Sequence, residues 1–149
     1  MNAPTAADYA ASYIRQFHMA LVPLPPRTKR PLADNWGNNV ITDPDAARAY
    51  YEDHPDWNMG VALGPSRVCS FDVDDMDATR MIFDEFGWSL DALRDSNPTI
   101  QGSPKGFRVM FSVPEGVSLP YHSLTWPKPD GQTGRFTVWE IRAADDEHQ

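Results

Sequence analysis

The segment Ser70-Phe71-Asp72-Val73-Asp74 places the tightest constraint on what this chain can fold into. Apolar and polar side chains alternate along it, which is the pattern of a half-buried strand. Side chains two apart on a strand project to the same face, with Cα atoms about 6.5–7 Å apart. Phe71 and Val73 therefore face a core, while Asp72 and Asp74 point together to the other side. Ionising two close carboxylates is costly unless a cation sits between them. A hard divalent ion such as Mg²⁺ or Mn²⁺ is the natural partner for such oxygen ligands. The plainer alternative is a solvated strand end running into a helix, where Asp75 and Asp77 favour the positive helix terminus.

Around this strand the chain reads as a mixed α/β domain, an α+β arrangement of helices against a small mixed sheet. Tyr9, Ala10, Tyr13, Ile14 and Phe17 recur at helical spacing within a helix over Ala6–Met19, with Thr5 as its N-cap. A short strand over Ala20–Leu24 stops at Pro25-Pro26, and the basic loop Arg27-Thr28-Lys29-Arg30-Pro31 follows. Asp43-Pro44 supplies an N-cap and a first helical residue for a second helix that ends before Pro55. Strands over 59–64 and 67–74 are joined by a Gly64-Pro65-Ser66 turn. A helix over Asp77–Phe86 should turn Met81, Ile82, Phe83 and Phe86 inward and end at Gly87, with a further helical turn at Leu90–Asp95. Strands are expected at Thr99–Gly102, Gly106–Val113 and Arg135–Arg142. The stretch 114–134, with four prolines and three glycines, reads mostly as loop.

At 149 residues the expectation is one compact domain, since domains commonly run roughly 100–150 residues. A 41% hydrophobic content is too high for a disordered acidic chain. The net charge of −8 excludes a nucleic-acid binder that is basic all over, but it is unevenly spread. Residues 72–95 carry −6, with eight acids against Arg80 and Arg94, and the tail 143–149 adds −3. Residues 1–42 and 96–142 are each +2, which leaves positive zones for an anionic ligand. No membrane segment or leader is visible, and a single cysteine, Cys69, points to a reducing cytoplasm.

Three other stretches carry chemistry. In Thr137-Val138-Trp139-Glu140-Ile141-Arg142, alternation sets Glu140 and Arg142 on one face. Either they are surface decoration or, if this strand lies beside Asp72, Glu140 completes a triad of hard oxygen ligands. The stretch Gln101-Gly102-Ser103-Pro104-Lys105-Gly106-Phe107-Arg108 offers backbone N–H groups, a hydroxyl and two cations to a phosphate. Its alternative is a basic hairpin turn, and it lacks the P-loop spacing. Arg27, Lys29 and Arg30 are a nucleic-acid contact or a solvated loop, and the five tryptophans either stack bases or anchor the core. His18, His54, His122 and His148 have no zinc spacing.

Taken in order, these residues resemble a known family. The opening helix with Leu21-Val22-Pro23-Leu24, Lys29-Arg30-Pro31 and Trp36 looks like the start of bifunctional primase–polymerase domains of the archaeo-eukaryotic primase superfamily, found on phages and plasmids. Asn58-Met59-Gly60-Val61-Ala62-Leu63-Gly64 is similar to the segment before their first motif, Phe71-Asp72-Val73-Asp74-Asp75 matches that motif, and Trp139-Glu140-Ile141-Arg142 resembles the third. The resemblance implies an RRM-like catalytic core in which Asp72, Asp74 and Glu140 hold Mg²⁺ or Mn²⁺ for nucleotidyl transfer. Ser103, Lys105, Arg108 and Arg142 would bind a nucleoside triphosphate opposite a DNA template. Arg108 stands where the family's second motif has a histidine. The family also continues past its third motif through a Pro-Pro-Ser segment, so the resemblance implies a domain truncated at its C-terminus, seven residues after Arg142.

A second class of function also fits. A short acidic protein of mobile-element origin could bind a host protein or ribonucleoprotein complex, such as a CRISPR effector, and inhibit it by occupying a channel meant for phosphates. Its residues would be the acids of 72–95 and the tail. A DNA-recognition module is the least attractive reading, because the net charge opposes phosphate binding.

Overall fold

A computed structural model describes residues 3–143; the acids of the tail and His148 lie outside them. Among the described residues the fold is α+β, with five α-helices and two sheets. Every strand pairing is antiparallel, so the sheets are not mixed as expected from sequence. The chain divides between Ser66 and Arg67 into two compact units.

The first unit contains α1 (Ala6–Phe17), β1 (Leu21–Leu24), α2 (Pro44–Asp53), β2 (Asn58–Val61) and the single-turn α3 (Leu63–Ser66). Thr5 caps α1 reciprocally with Asp8: the Asp8 N–H donates to the Thr5 hydroxyl at 3.2 Å, and the Thr5 N–H donates to the Asp8 carboxylate at 2.9 Å. The helix stops at Phe17 rather than Met19 because His18 turns left-handed at φ 54°. Its buried stripe is Ala7, Ala10, Ala11 and Ile14, while Tyr9, Tyr13 and Phe17 are exposed. Small side chains let helices approach closely, and Ala7 and Ala10 share a core with Ala47 and Tyr51 of α2. Asp43 caps α2 as expected, accepting from the Ala46 N–H at 2.7 Å. Strand β2 pairs with β1 and not with the strand that follows it, so Gly64-Pro65-Ser66 is part of a helical turn rather than a hairpin. At Arg67 the backbone is left-handed, with φ 50°, and the chain leaves that turn there.

The second unit contains β3 (Val68–Val73), α4 (Met76–Glu85), α5 (Leu90–Asp95), β4 (Thr99–Ser103), β5 (Gly106–Ser112), β6 (His122–Pro127) and β7 (Arg135–Arg142). They form one sheet in the order β4-β5-β3-β7-β6, with β3 at its centre. The four strands β4-β5-β3-β7 stand in the split βαβ order of an RRM-like sheet. Strand β6, in a stretch read as loop, adds an edge. Prolines are tolerated on edge strands, and Pro127 closes this one, which is why composition concealed it.

One face of the sheet carries Phe71, Val73, Phe107, Val109 and Trp139, packed with Phe83 of α4 and Leu90 of α5. Phe71 and Trp139 meet at 5.6 Å between ring centroids, and Phe83 lies 6.0 Å from Phe71. At 100° per residue Met76, Thr79 and Phe83 share a helix face opposite Met81, which is exposed rather than inward, and Phe86 is exposed because the helix has already ended at Glu85. Phe86 instead stacks on Trp88, across Gly87 at φ +69°.

Two positions give direct tests. The Asp8 carboxyl is held down at about 2, first by the Thr5 N–H and then by Arg48, whose guanidinium lies 2.6 Å away. A carboxyl lowered on folding contributes stability above its unfolded value and loses it as the pH falls through the folded one. Thermal melts between pH 4 and pH 2 should therefore fall more steeply for the natural chain than for Asp8→Asn. At Gly106, an added Cβ would stand 1.9 Å from the Val73 carbonyl oxygen. Gly106→Ala should cost about 1–3 kcal/mol in a denaturant titration.

Candidate active site

The face of the sheet opposite the aromatic core carries charge, and register decides which charges meet. Asp72 on β3 stands directly across from Arg108 on β5 and from Glu140 on β7, so the three form one row over the central strands. Ser123 of β6 extends the row beyond Glu140. Ser70, two residues before Asp72, is opposite Arg142 and Met110 in the next row. The condition set on Glu140 is thus met: its strand is the neighbour of the Asp72 strand.

Arg108 grips Asp72 with both prongs of its fork, Nε to Oδ1 and Nη2 to Oδ2, the second at 2.6 Å. Such bidentate pairs are the strong class of charged hydrogen bond. Arg142 spans both carboxylates: its Nε lies 3.3 Å from Asp72 Oδ2, and its Nη2 donates to Glu140 Oε2 at 2.7 Å. The 3.3 Å approach is an ion pair without hydrogen-bond geometry, since that buried Nε has no hydrogen-bond partner. The other Glu140 oxygen, Oε1, accepts from the Tyr121 hydroxyl at 2.8 Å. The Asp72 side chain is 11% exposed against 46% for Arg108 and 43% for Arg142, so the cations form the solvent side of the cluster.

Asp74 stands apart. Chain geometry puts it on a bend just past the end of β3, exposed, with its N–H donating to the Val138 carbonyl. Its carboxyl is raised from the ordinary range by partial burial, then by the charges of Glu140 and Asp72, against the pull of Arg142 and Arg108. Burial acts the same way on Glu140, but hydrogen bonds from Tyr121 and Arg142 outweigh it and hold that carboxyl below its usual value.

Ser103 and Lys105 occupy the β4–β5 hairpin. The Ser103 hydroxyl accepts from the Lys105 N–H at 3.3 Å, and the Lys105 carbonyl accepts from the Met76 N–H at the start of α4. Gly106, pressed on the Val73 carbonyl, holds this hairpin at the end of β3 where Asp74 lies. Arg27, Lys29 and Arg30 are exposed in the first unit. The first unit also has an apolar cavity of about 360 Å³, lined by Val22, Pro31, Leu32, Trp36, Tyr50 and Trp57. Among the tryptophans, Trp139 is built into the core under the sheet and Trp57 packs on Tyr50 and His54.

Tyr121 and Ser70 were not legible as site residues. Tyr121 lies just before β6, in a stretch read as loop, and only the β6–β7 pairing brings it to Glu140. Ser70 is 1% exposed, and its hydroxyl has no hydrogen-bond partner, which is unusual for a buried polar group.

The donor set fits a hard divalent cation in kind: carboxylate oxygens facing each other across adjacent strands, with an unpaired serine hydroxyl on the same face. Among the described residues no three His, Cys, Asp or Glu side chains converge as a ready-made metal cluster. Two guanidiniums take the place of a cation instead.

Antiparallel strands thus carry Asp72, Arg108 and Glu140 in one row on a sheet of RRM-like strand order, the core expected of a primase–polymerase type of domain. The profile of the bifunctional DNA primase/polymerase N-terminal domain matches residues 10–146, and the chain belongs to that family. The family acts in DNA replication, and its domains are generally metal-dependent. No curated protein matches the chain. No helix among the described residues is long and apolar enough to cross a membrane.

Proposed function

We propose that the second unit is a nucleotidyl-transfer centre that adds nucleotides to a primer on a DNA template. The observation that carries this reading is the cross-strand row of Arg108, Asp72 and Glu140, with Arg142 bridging the two carboxylates. It sets hard anionic ligands and anion-binding forks side by side, which is what a metal-bound polyphosphate requires.

Asp72, Asp74 and Glu140 are the residues that would hold Mg²⁺ or Mn²⁺. Bound there, the ions supply Lewis acidity to the attacking 3′-hydroxyl and to the leaving pyrophosphate. The rest falls to the chain's own side chains. Arg108 and Arg142 present guanidinium forks to phosphate oxygens, and each fork matches two oxygens at once. Lys105 and Ser103, on the hairpin at the Asp74 end of β3, extend that grip along the triphosphate. Tyr121 orients Glu140 by donating to Oε1. An arginine at position 108 is a permanent cation, so it binds and orients phosphate and exchanges no proton at neutral pH. Arg27, Lys29 and Arg30 are the basic stretch we assign to the nucleic-acid strand.

Mn²⁺-dependent extension of a primed DNA template by the 149-residue chain tests this function. Extension should occur and fall to background in Asp72→Asn with Asp74→Asn. Arg108→Ala should raise KM for the nucleoside triphosphate by roughly 10–100-fold, from the loss of charged hydrogen bonds worth about 1.5–3 kcal/mol. A chain that extends nothing but captures a host nucleic-acid-binding complex in a salt-sensitive way would support the inhibitor reading instead. Arg80 and Arg94 already pair with Asp91, and Arg94 with Asp95, so part of the 72–95 acidity is neutralised within the chain.

A further inference from the structure

We infer that Arg108 and Arg142 act as a latch that closes the carboxylates to a divalent cation until a polyphosphate draws the guanidiniums away. This rests on the reading of the cluster as a nucleotidyl-transfer centre and adds to it an order of assembly: metal and nucleotide each make the site available to the other.

The hydrogen bonds of the row carry the argument. Both oxygens of Asp72 accept from Arg108, and Oδ2 also faces Arg142. Glu140 gives one oxygen to Arg142 and the other to Tyr121. Each of the four oxygens of these two carboxylates thus already has a donor, and a cation approaching either one competes with a guanidinium for it. An arginine fork accepts phosphate oxygens as readily as carboxylate oxygens, in the same planar two-point geometry. Both arginines are nearly half exposed while Asp72 is almost covered, so an incoming anion reaches the forks before a cation reaches the carboxylate.

A second observation shows that the closed arrangement leaves bonds unmade. The Ser70 hydroxyl, 1% exposed and directly across from Arg142, has no hydrogen-bond partner, and neither does the buried Arg142 Nε. Two unsatisfied polar atoms in adjoining positions mark a cluster that a ligand oxygen can complete. A merely structural ion pair at the sheet centre would have no need of such unmade bonds beside it.

The latch makes a reciprocal prediction, because coupling between two binding equilibria acts equally in both directions. Asp72→Asn removes the anion that holds the Arg108 fork and leaves Arg142 held by Glu140 alone, so dATP titrated into the chain in EDTA should bind more tightly to the variant than to the natural chain, by about 5- to 150-fold. Arg142→Gln removes the cation that bridges the two carboxylates and frees Glu140 Oε2, so Mn²⁺ alone, followed by the electron paramagnetic resonance of the free ion, should bind more tightly by a similar factor. A structural pair predicts no gain of affinity in either arm, and a plain ligand role for Asp72 predicts no gain for dATP. If dATP and Mn²⁺ bind but either substitution leaves its affinity unchanged or weaker, the latch is wrong and the transfer centre stands. If neither probe binds the natural chain or either variant at millimolar concentration, the transfer centre itself falls. Thermal melts check both variants. Should Asp72→Asn fail to fold, the Mn²⁺ arm with the half-exposed Arg142 decides alone.

Discussion

A single buried carboxylate, Asp72, sets the terms for the second unit. It sits on the central strand of five, almost covered, where an unpaired charge would be prohibitively costly. The sheet meets that demand from both sides, with the Arg108 fork from β5 and the Arg142 guanidinium from β7, and Glu140 joins through Arg142. Strand order follows from the same requirement. Only with β3 between β5 and β7 do these residues share a row, and only antiparallel registers of these phases put them on one face.

The opposite face makes this arrangement rigid. Phe71, Val73, Phe107 and Val109 alternate with the charged row and pack under α4 and α5, so a slip of one residue would bury the charges and expose the aromatics. Gly106 performs a second positioning task. Its missing side chain lets the β4–β5 hairpin close on the Val73 carbonyl, and this keeps Lys105 at the end of β3 from which Asp74 projects. The cost of confining Asp74 there shows in its raised carboxyl, whose burial and acidic neighbours act in the same sense.

Much of this was legible in the chain itself, and the failures have physical causes. Alternation placed Asp72 and Glu140 on polar faces, because period two survives in any half-buried strand. What alternation cannot carry is adjacency: nothing local to residues 137–142 says that they lie beside β3 rather than at an edge. Tyr121 was missed because proline-rich composition masked β6, whose edge position tolerates that composition. The inward faces of α1 and α4 were misjudged for another reason. Large apolar side chains favoured Tyr9, Tyr13 and Met81, whereas helix packing selected Ala7 and Ala11 beside the expected Ala10 and Ile14 in α1, and Ala78 and Thr79 beside the expected Phe83 in α4. The net charge of −8 also changed its meaning, since at the site the acids are matched by arginines from neighbouring strands.

The central claim is that this row exchanges internal cations for a metal and a polyphosphate. The most direct measurement is a crystal structure of the chain grown with Mn²⁺ and a non-hydrolysable nucleoside triphosphate, with data collected at the manganese edge. An anomalous peak is expected against Asp72 and Glu140, with Arg108 and Arg142 turned from those carboxylates onto phosphate oxygens. Intact Arg108–Asp72 and Arg142–Glu140 pairs with no peak beside them, at saturating concentrations of both ligands, would contradict it.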